Sequence, residues 1–216
     1  MFQHVLFDLD GTLVDSADGV LSALRRCLGR AGLEPQVALT RALIGPPLPS
    51  MLATTSGSRD PAVLSALERD FRADYDAAGW QESPPYPGVP AALQALRRAG
   101  VELHLVTNKR MVPTLKILDA NDWTGSFRTV NTLDTSGGAG NKSDVVARLL
   151  PGIGGGRGRV ALVGDSLDDA RAAAGNDIDF AWASWGYGAA PDLQSAGVRL
   201  ENAHELVPHL LQQSVR

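Results

Sequence analysis

Five short runs, at residues 4–9, 101–106, 127–132, 159–163 and 178–183, read as strands, and helical periods separate each from the next. Apolar strands without polar alternation are buried on both faces, and strands that alternate with helices form a parallel sheet. The order is broken once. After the first strand, residues 17–80 carry helical patterns and no convincing strand. This predicts an α/β fold, a doubly wound parallel sheet with an inserted α-helical cap domain. The sheet core takes residues 1–16 and 85–216, and the cap takes 17–84. The junctions near Asp15 and at the proline-rich Pro84–Gly88 are expected hinges.

Local signals refine the elements. Asp15 and Ser16 offer an N-cap to a helix in which Val20, Leu21, Leu24, Cys27, Leu28 and Ala31 recur at helical spacing. A second helical stretch covers 36–43 and stops at Gly45-Pro46-Pro47, since consecutive prolines cannot continue a helix. A short helix follows near 49–54. Asp60-Pro61 reads as cap and first helical residue of a long helix to about 78. Loops 137–141 and 152–158 are glycine-rich. The strand at 178–183 is the last expected, followed by a helix near 203–212.

The bulk numbers exclude several classes. A net charge of −4 argues against a nucleic-acid protein. No apolar run approaches the roughly 18 residues of a membrane span, and the N-terminus goes straight into a strand, so a soluble cytoplasmic chain is expected. The single cysteine, Cys27, reads as a small apolar helix residue and permits no internal disulfide. Lysine occurs only at 109, 116 and 142.

The chemistry gathers at strand ends. The first strand closes in Asp8-Leu9-Asp10-Gly11, the second in Thr107-Asn108-Lys109, and the fourth in Gly164-Asp165-Ser166. In open parallel sheets ligands sit beyond the carboxyl ends of the strands, where strand order reverses. A central first strand would bring these endings together. Asp8, Asp10 and Asp165 would then form an all-oxygen cluster suited to Mg²⁺. A carboxylate nucleophile beside that ion points to phosphoryl transfer through an aspartyl-phosphate. Thr107-Asn108 and Lys142 would bind the phosphate. No histidine sits at these ends; His104 reads as a core or edge residue, and His4, His204 and His209 as peripheral.

Asp8-Leu-Asp10-Gly-Thr-Leu-Val-Asp15-Ser16, Thr107-Asn108-Lys109, Lys142 and Gly164-Asp165-Ser166-Leu-Asp168-Asp169 resemble the four ordered motifs of the haloacid dehalogenase superfamily. The resemblance implies a Rossmann-like core with a helical cap after strand one. It implies Asp8 as nucleophile, Asp10 as general acid/base, and Thr107 and Lys142 as phosphoryl-holding residues. Mg²⁺ would be ligated by Asp8, Asp165 and the backbone carbonyl of Asp10, with Asp169 supporting its waters. Trp185-Gly-Tyr-Gly188 and Ile44-Gly-Pro-Pro-Leu48 are similar to the phosphoglycolate phosphatase-like branch. The motif lysine is usually followed by proline, whereas Ser143 follows Lys142. The expected activity is Mg²⁺-dependent hydrolysis of a small phosphorylated metabolite, with phosphoglycolate the leading candidate and Arg41 a candidate substrate contact.

Rival readings fare worse. A P-loop would need glycine at 136 and 141, where the chain has Ser136 and Asn141. A dehalogenase would lack the second acid, and a phosphonate hydrolase needs a cap lysine that 17–84 does not contain. A non-enzymatic binding module leaves the acid set without a use. A sugar-phosphate mutase would share the core machinery.

Overall fold

A computed structural model of the chain describes residues 1–137, 140–154, 156–188 and 197–212. Gly138, Ala139 and Gly155, which belong to the two glycine-rich loops, lie outside the described residues. Six strands form one sheet: β1 (His4–Phe7), β2 (Glu102–Thr107), β3 (Thr129–Thr132), β4 (Val160–Gly164), β5 (Asp179–Ala183) and β6 (Gly197–Leu200). Their order is β3-β2-β1-β4-β5-β6, and every pairing is parallel. The first strand is therefore central, with β2 and β4 on its two sides. That is the reversal point at which the ends of all three strands converge.

The pleat sends alternate residues to opposite faces. Val5 and Phe7 join one buried layer with Leu93, Leu96, Ile117 and Leu118, drawn from α4 (Val89–Arg98) and α5 (Met111–Ala120). Leu6 joins the other with Val145, Val146 and Ala172, from α6 (Lys142–Ile153) and α7 (Leu167–Gly175). The helices α1 (Ala17–Arg30), α2 (Leu48–Ser56) and α3 (Pro61–Ala77) pack around a third cluster of their own that includes Leu24, Cys27, Leu52, Leu67 and Phe71. Cys27 is fully buried there, as the helical spacing requires. Asp60 caps α3 by accepting from the Ala62 N–H at 2.8 Å, with Pro61 in the first turn. No helix of the described residues is long and apolar enough to cross a membrane.

Four sequence expectations need correction. Residues 36–43 form no helix beyond a 3₁₀ turn at Arg41–Leu43. None of those residues is buried, and a short helical pattern without a packing surface does not repay its nucleation. A sixth strand, β6, pairs with β5, followed by a 3₁₀ turn (Ala203–Glu205) and α8 (Leu206–Leu211). At four residues, two of them exposed, β6 is an edge strand with little apolar signature. Ser16 sits at the N-cap of α1, yet its side chain makes no cap bond; the hydroxyl donates to Asp10 instead. His4, expected at the periphery, is buried against His104.

His104 is fully buried in β2, 3.3 Å from His4 Nδ1 and 2.9 Å from Thr129 Oγ1. Burial, then the neighbouring His4, pushes it from 6.5 down to about 4; Glu102 opposes and Arg128 reinforces this. A base whose folded pKa is depressed binds fewer protons folded than unfolded, so stability is lost as pH falls from 6.5 towards 4. The loss is expected to reach at most about 3 kcal/mol. Denaturant titrations across that window should show a flatter pH dependence for His104→Gln than for the wild type.

Candidate active site

Asp8 follows directly on β1, its N–H donating to Val163 O at 2.9 Å, and its carboxylate is buried. Lys142 opens α6 behind Asn141, whose side chain accepts from the Asp144 N–H at 3.0 Å. That cap aims the buried lysine inward: Nζ donates to Asp8 Oδ1 at 2.7 Å and to Asp169 Oδ1 at 2.6 Å. Asp169 lies in the first turn of α7 and forms a capping box with Ser166, accepting from the Ser166 N–H at 3.0 Å. Asp165 follows directly on β4, and its Oδ2 accepts from the Tyr187 and Gly188 N–H groups at 2.9 and 3.0 Å. The Trp185–Gly188 stretch thus has a physical task, to hold one acid by its backbone. It needs glycine for that: a Cβ on Gly186 would lie 2.3 Å from Asp165 Cβ, and one on Gly11 would lie 2.2 Å from Asp165 Oδ2.

Oxygens of Asp8, Asp165 and Asp169 lie within 4.8 Å of one another. Burial foremost, despite Lys142 and with Asp169 and Asp165 repelling, raises Asp8 from 3.8 to about 8. Burial and Asp169 raise Asp165 to about 7 against the pull of its two backbone N–H donors. One ammonium does not balance three clustered carboxylates. The donor set, all hard oxygen, fits a divalent cation of the Mg²⁺ type. Asp169, expected behind the metal's waters, stands within the cluster itself.

The Asp10 carboxylate stands apart from that cluster. Lys109 Nζ donates to its two oxygens at 2.8 and 3.1 Å and to the Tyr75 hydroxyl of α3 at 2.8 Å. Burial alone would lower the Lys109 pKa; Asp10 and Tyr75 outweigh it, and the net shift is upward. Two adjacent acids of one strand end therefore face different partners, Lys142 for Asp8 and Lys109 for Asp10. Thr107 is buried, its Oγ1 accepting from the Lys109 N–H at 3.1 Å. Asn108 donates through Nδ2 to Gly45 O at 2.9 Å and so reaches the loop before α2.

Asp8, Asp10, Thr107 and Asn108 border a cavity of about 220 Å³ whose opposite wall comes from α1, α2, α3 and the loop 44–47. Arg41 does not line it. Its guanidinium is held by Asp15 at 2.7 Å and approaches Asp18 at 3.7 Å. The sequence reading missed Tyr75, Arg72 and Arg110 at this cavity and gave Lys109 no task. Scarcity of lysine was the available signal for Lys109. Tyr75 carried none, since its spacing in α3 also marks it as core.

The chain matches the family described as haloacid dehalogenase-like hydrolase over residues 5–183. Tyrosine-protein kinase PtkA of Mycobacterium tuberculosis is 35% identical over 191 residues, which are 87% of this chain and 64% of that protein. The chain thus spans less than two thirds of that relative. The solved structure of PtkA superposes with a TM-score of 0.82 at 32% identity, covering 98% of this chain and 99% of that one. Phosphoglycolate phosphatase of Caulobacter vibrioides is 32% identical over 188 residues, 85% of this chain and 79% of that protein. The crystal structure of a predicted phosphatase from Clostridium acetobutylicum shares the fold, with a TM-score of 0.88 at 24% identity over 99% of this chain and 100% of that one. The motifs, the sheet order and the extent of the match agree: the chain belongs to the haloacid dehalogenase-like hydrolases.

Proposed function

We propose that the chain is a phosphatase that hydrolyses a small phosphorylated metabolite through an aspartyl-phosphate on Asp8, with Mg²⁺ as its divalent ion. The observation that carries this reading is the buried Asp8 carboxylate at the reversal point, bound by Lys142 and clustered with Asp165 and Asp169. Asp8, Asp165 and the Asp10 backbone carbonyl would hold the ion, with Asp169 beside it. Once bound, it would neutralise charge on the carboxylates and on the phosphoryl group.

The remaining chemistry belongs to the chain's own groups. Asp8 Oδ attacks phosphorus and the ester P–O bond breaks. Asp10 delivers a proton to the departing alkoxide. Thr107 Oγ1, Asn108 and Lys142 Nζ hold the phosphoryl oxygens. In the second half Asp10 takes a proton from water, whose oxygen attacks phosphorus. The acyl-phosphate P–O bond breaks, freeing phosphate and the Asp8 carboxylate. Lys109 and Ser16 orient Asp10 through both halves.

Residues 17–84 act in this reading as a cap that moves on the junctions at Asp15 and Pro84–Gly88. Its closed position keeps bulk water from the acyl-phosphate. The backbone crossings lie side by side, with Asp15 N donating to Pro84 O at 2.9 Å and Tyr86 N to Leu13 O at 3.0 Å. A phosphorylated metabolite as substrate fits an enzyme of the cytoplasm.

The test is phosphate release from a panel of phosphate monoesters, with products followed by NMR to separate hydrolysis from isomerisation. Mg²⁺ is expected to support turnover, exhaustive EDTA to abolish it, and added Mg²⁺ to restore it. Full turnover after chelation would sink the metal assignment.

A further inference from the structure

The cavity beside Asp8 and Asp10 says what the departing alcohol must look like, given the phosphatase reading above. Its far wall is apolar: Val20, Ile44, Pro47, Leu48, Met51 and Phe71 all line it. Three cations also border it, and each already has an acid. Lys109 is bound to Asp10 at 2.8 Å, Arg72 to Glu68 one turn before it, and Arg110 to Asp76. Asp134 adds a further carboxylate at the rim, held by the Met111 N–H and the Thr132 hydroxyl rather than by a cation.

Backbone donors are equally scarce. The stretch Gly45–Pro49 holds three prolines, which have no N–H. The start of α2 has spent most of its donors: the Ser50 and Met51 N–H groups both bond to Pro47 O, at 2.9 and 3.2 Å, and Pro49 has none. Gly45 O is occupied by Asn108. A carboxylate on the leaving alcohol would therefore be placed among acids and apolar carbon, and would have to share a cation that an acid of this chain already holds. That arrangement is strongly unfavourable, whereas an apolar group gains by leaving water.

We infer that the substrate is a phosphate monoester whose leaving group is uncharged and has an apolar body, taken into the pocket formed by Val20, Leu48, Met51 and Phe71. The alcohol's carbon frame lies against that wall while its phosphoryl group faces Asp8. A carboxylate-bearing ester such as phosphoglycolate, the substrate class named for the Caulobacter relative, is a poor fit.

The test compares kcat/KM for phosphoglycolate with ethyl, butyl and 2-phenylethyl phosphate, all of which release an unactivated primary alcohol. The neutral series is expected to rise with apolar size, and butyl phosphate to exceed phosphoglycolate at least tenfold. Glu68→Gln frees the half-exposed Arg72 and is expected to shift the ratio towards phosphoglycolate by several-fold. Phosphoglycolate equal to or better than the neutral esters, or a ratio that Glu68→Gln leaves unmoved, overturns the inference. If none of the four esters, nor any in a wider panel, releases phosphate, the phosphatase reading itself falls.

Discussion

Asp8→Asn is expected to abolish phosphate release while leaving the fold at least as stable as the wild type. In the proposed mechanism the nucleophile is lost outright, and in enzymes whose groups act as a unit such a loss is on the order of 10⁶ in rate. Stability is spared for a structural reason. Asn keeps the shape of Asp8 and an oxygen to accept from Lys142, and it removes one of three buried carboxylates that repel each other. Asp10→Asn should fail in another way. It leaves Asp8, Lys142 and the clustered acids Asp165 and Asp169 in place and removes the proposed proton transfer, a contribution of roughly 10²–10⁴. With acetyl phosphate, whose leaving group needs little protonation, Asp10→Asn should still be phosphorylated and then hydrolyse slowly. Intact-mass spectrometry after rapid acid quench should find a phosphoryl adduct on the N-terminal peptide of Asp10→Asn and none on Asp8→Asn. An adduct on Asp8→Asn, or an Asp10→Asn enzyme as fast as the wild type, overturns the assignment of the two roles.

The contrast between those two acids was only half legible in the sequence. Their spacing at a strand end could be read from Val5-Leu6-Phe7-Asp8-Leu9-Asp10, because the period of a strand is local information. Which partner each would meet could not, because Lys109 and Lys142 come from separate strand–helix units some hundred residues on. Sheet order supplied that information. The apolar runs told of a parallel sheet and left the central place of β1 as a condition; once β2 and β4 flank β1 the strand-end residues gather at one point.

The misses share a physical origin. Residues 36–43 have helical spacing but no surface to bury it against, and burial is a property of the whole fold. The edge strand β6 is short and half-exposed, so it lacks the apolar run by which its neighbours were found. Arg41 was placed near the site by its closeness in sequence to the Gly45-Pro46-Pro47 break, yet in the fold its guanidinium is held by Asp15 and it does not line the cavity. The cavity's own charges, Arg72 and Arg110, are ordinary helix and loop residues in sequence. They border one cavity because α3 is tied to the chain that follows β2, Tyr75 to Lys109 and Asp76 to Arg110.

Lys142→Met should cost both stability and turnover, and the two losses should respond differently to Mg²⁺. The Lys142 side chain is 3% exposed and, among the described residues, is the one cation that bridges Asp8 and Asp169, at 2.7 and 2.6 Å. Burial by itself would lower its pKa, but Asp169 and Asp8 more than reverse that, and the shift is upward. A base with a raised folded pKa contributes fully below its unfolded value near 10.4 and loses that contribution only above it. The destabilisation in Lys142→Met should therefore be present throughout neutral pH. Removing one partner of a buried ion pair costs about 3–5 kcal/mol, which for a chain of this size lowers Tm by roughly 10 °C. A divalent ion supplies positive charge to the same carboxylates, so Mg²⁺ should raise the Tm of Lys142→Met more than that of the wild type. Turnover should not recover with it. In the proposed mechanism the ammonium also holds the phosphoryl oxygens, and the loss of such a group costs about 10²–10³ in kcat that saturating Mg²⁺ leaves in place. Thermal melts and steady-state rates across a Mg²⁺ titration measure both effects. A variant that melts with the wild type, or that regains full kcat at high Mg²⁺, would show that Lys142 neutralises the acids without touching the phosphate.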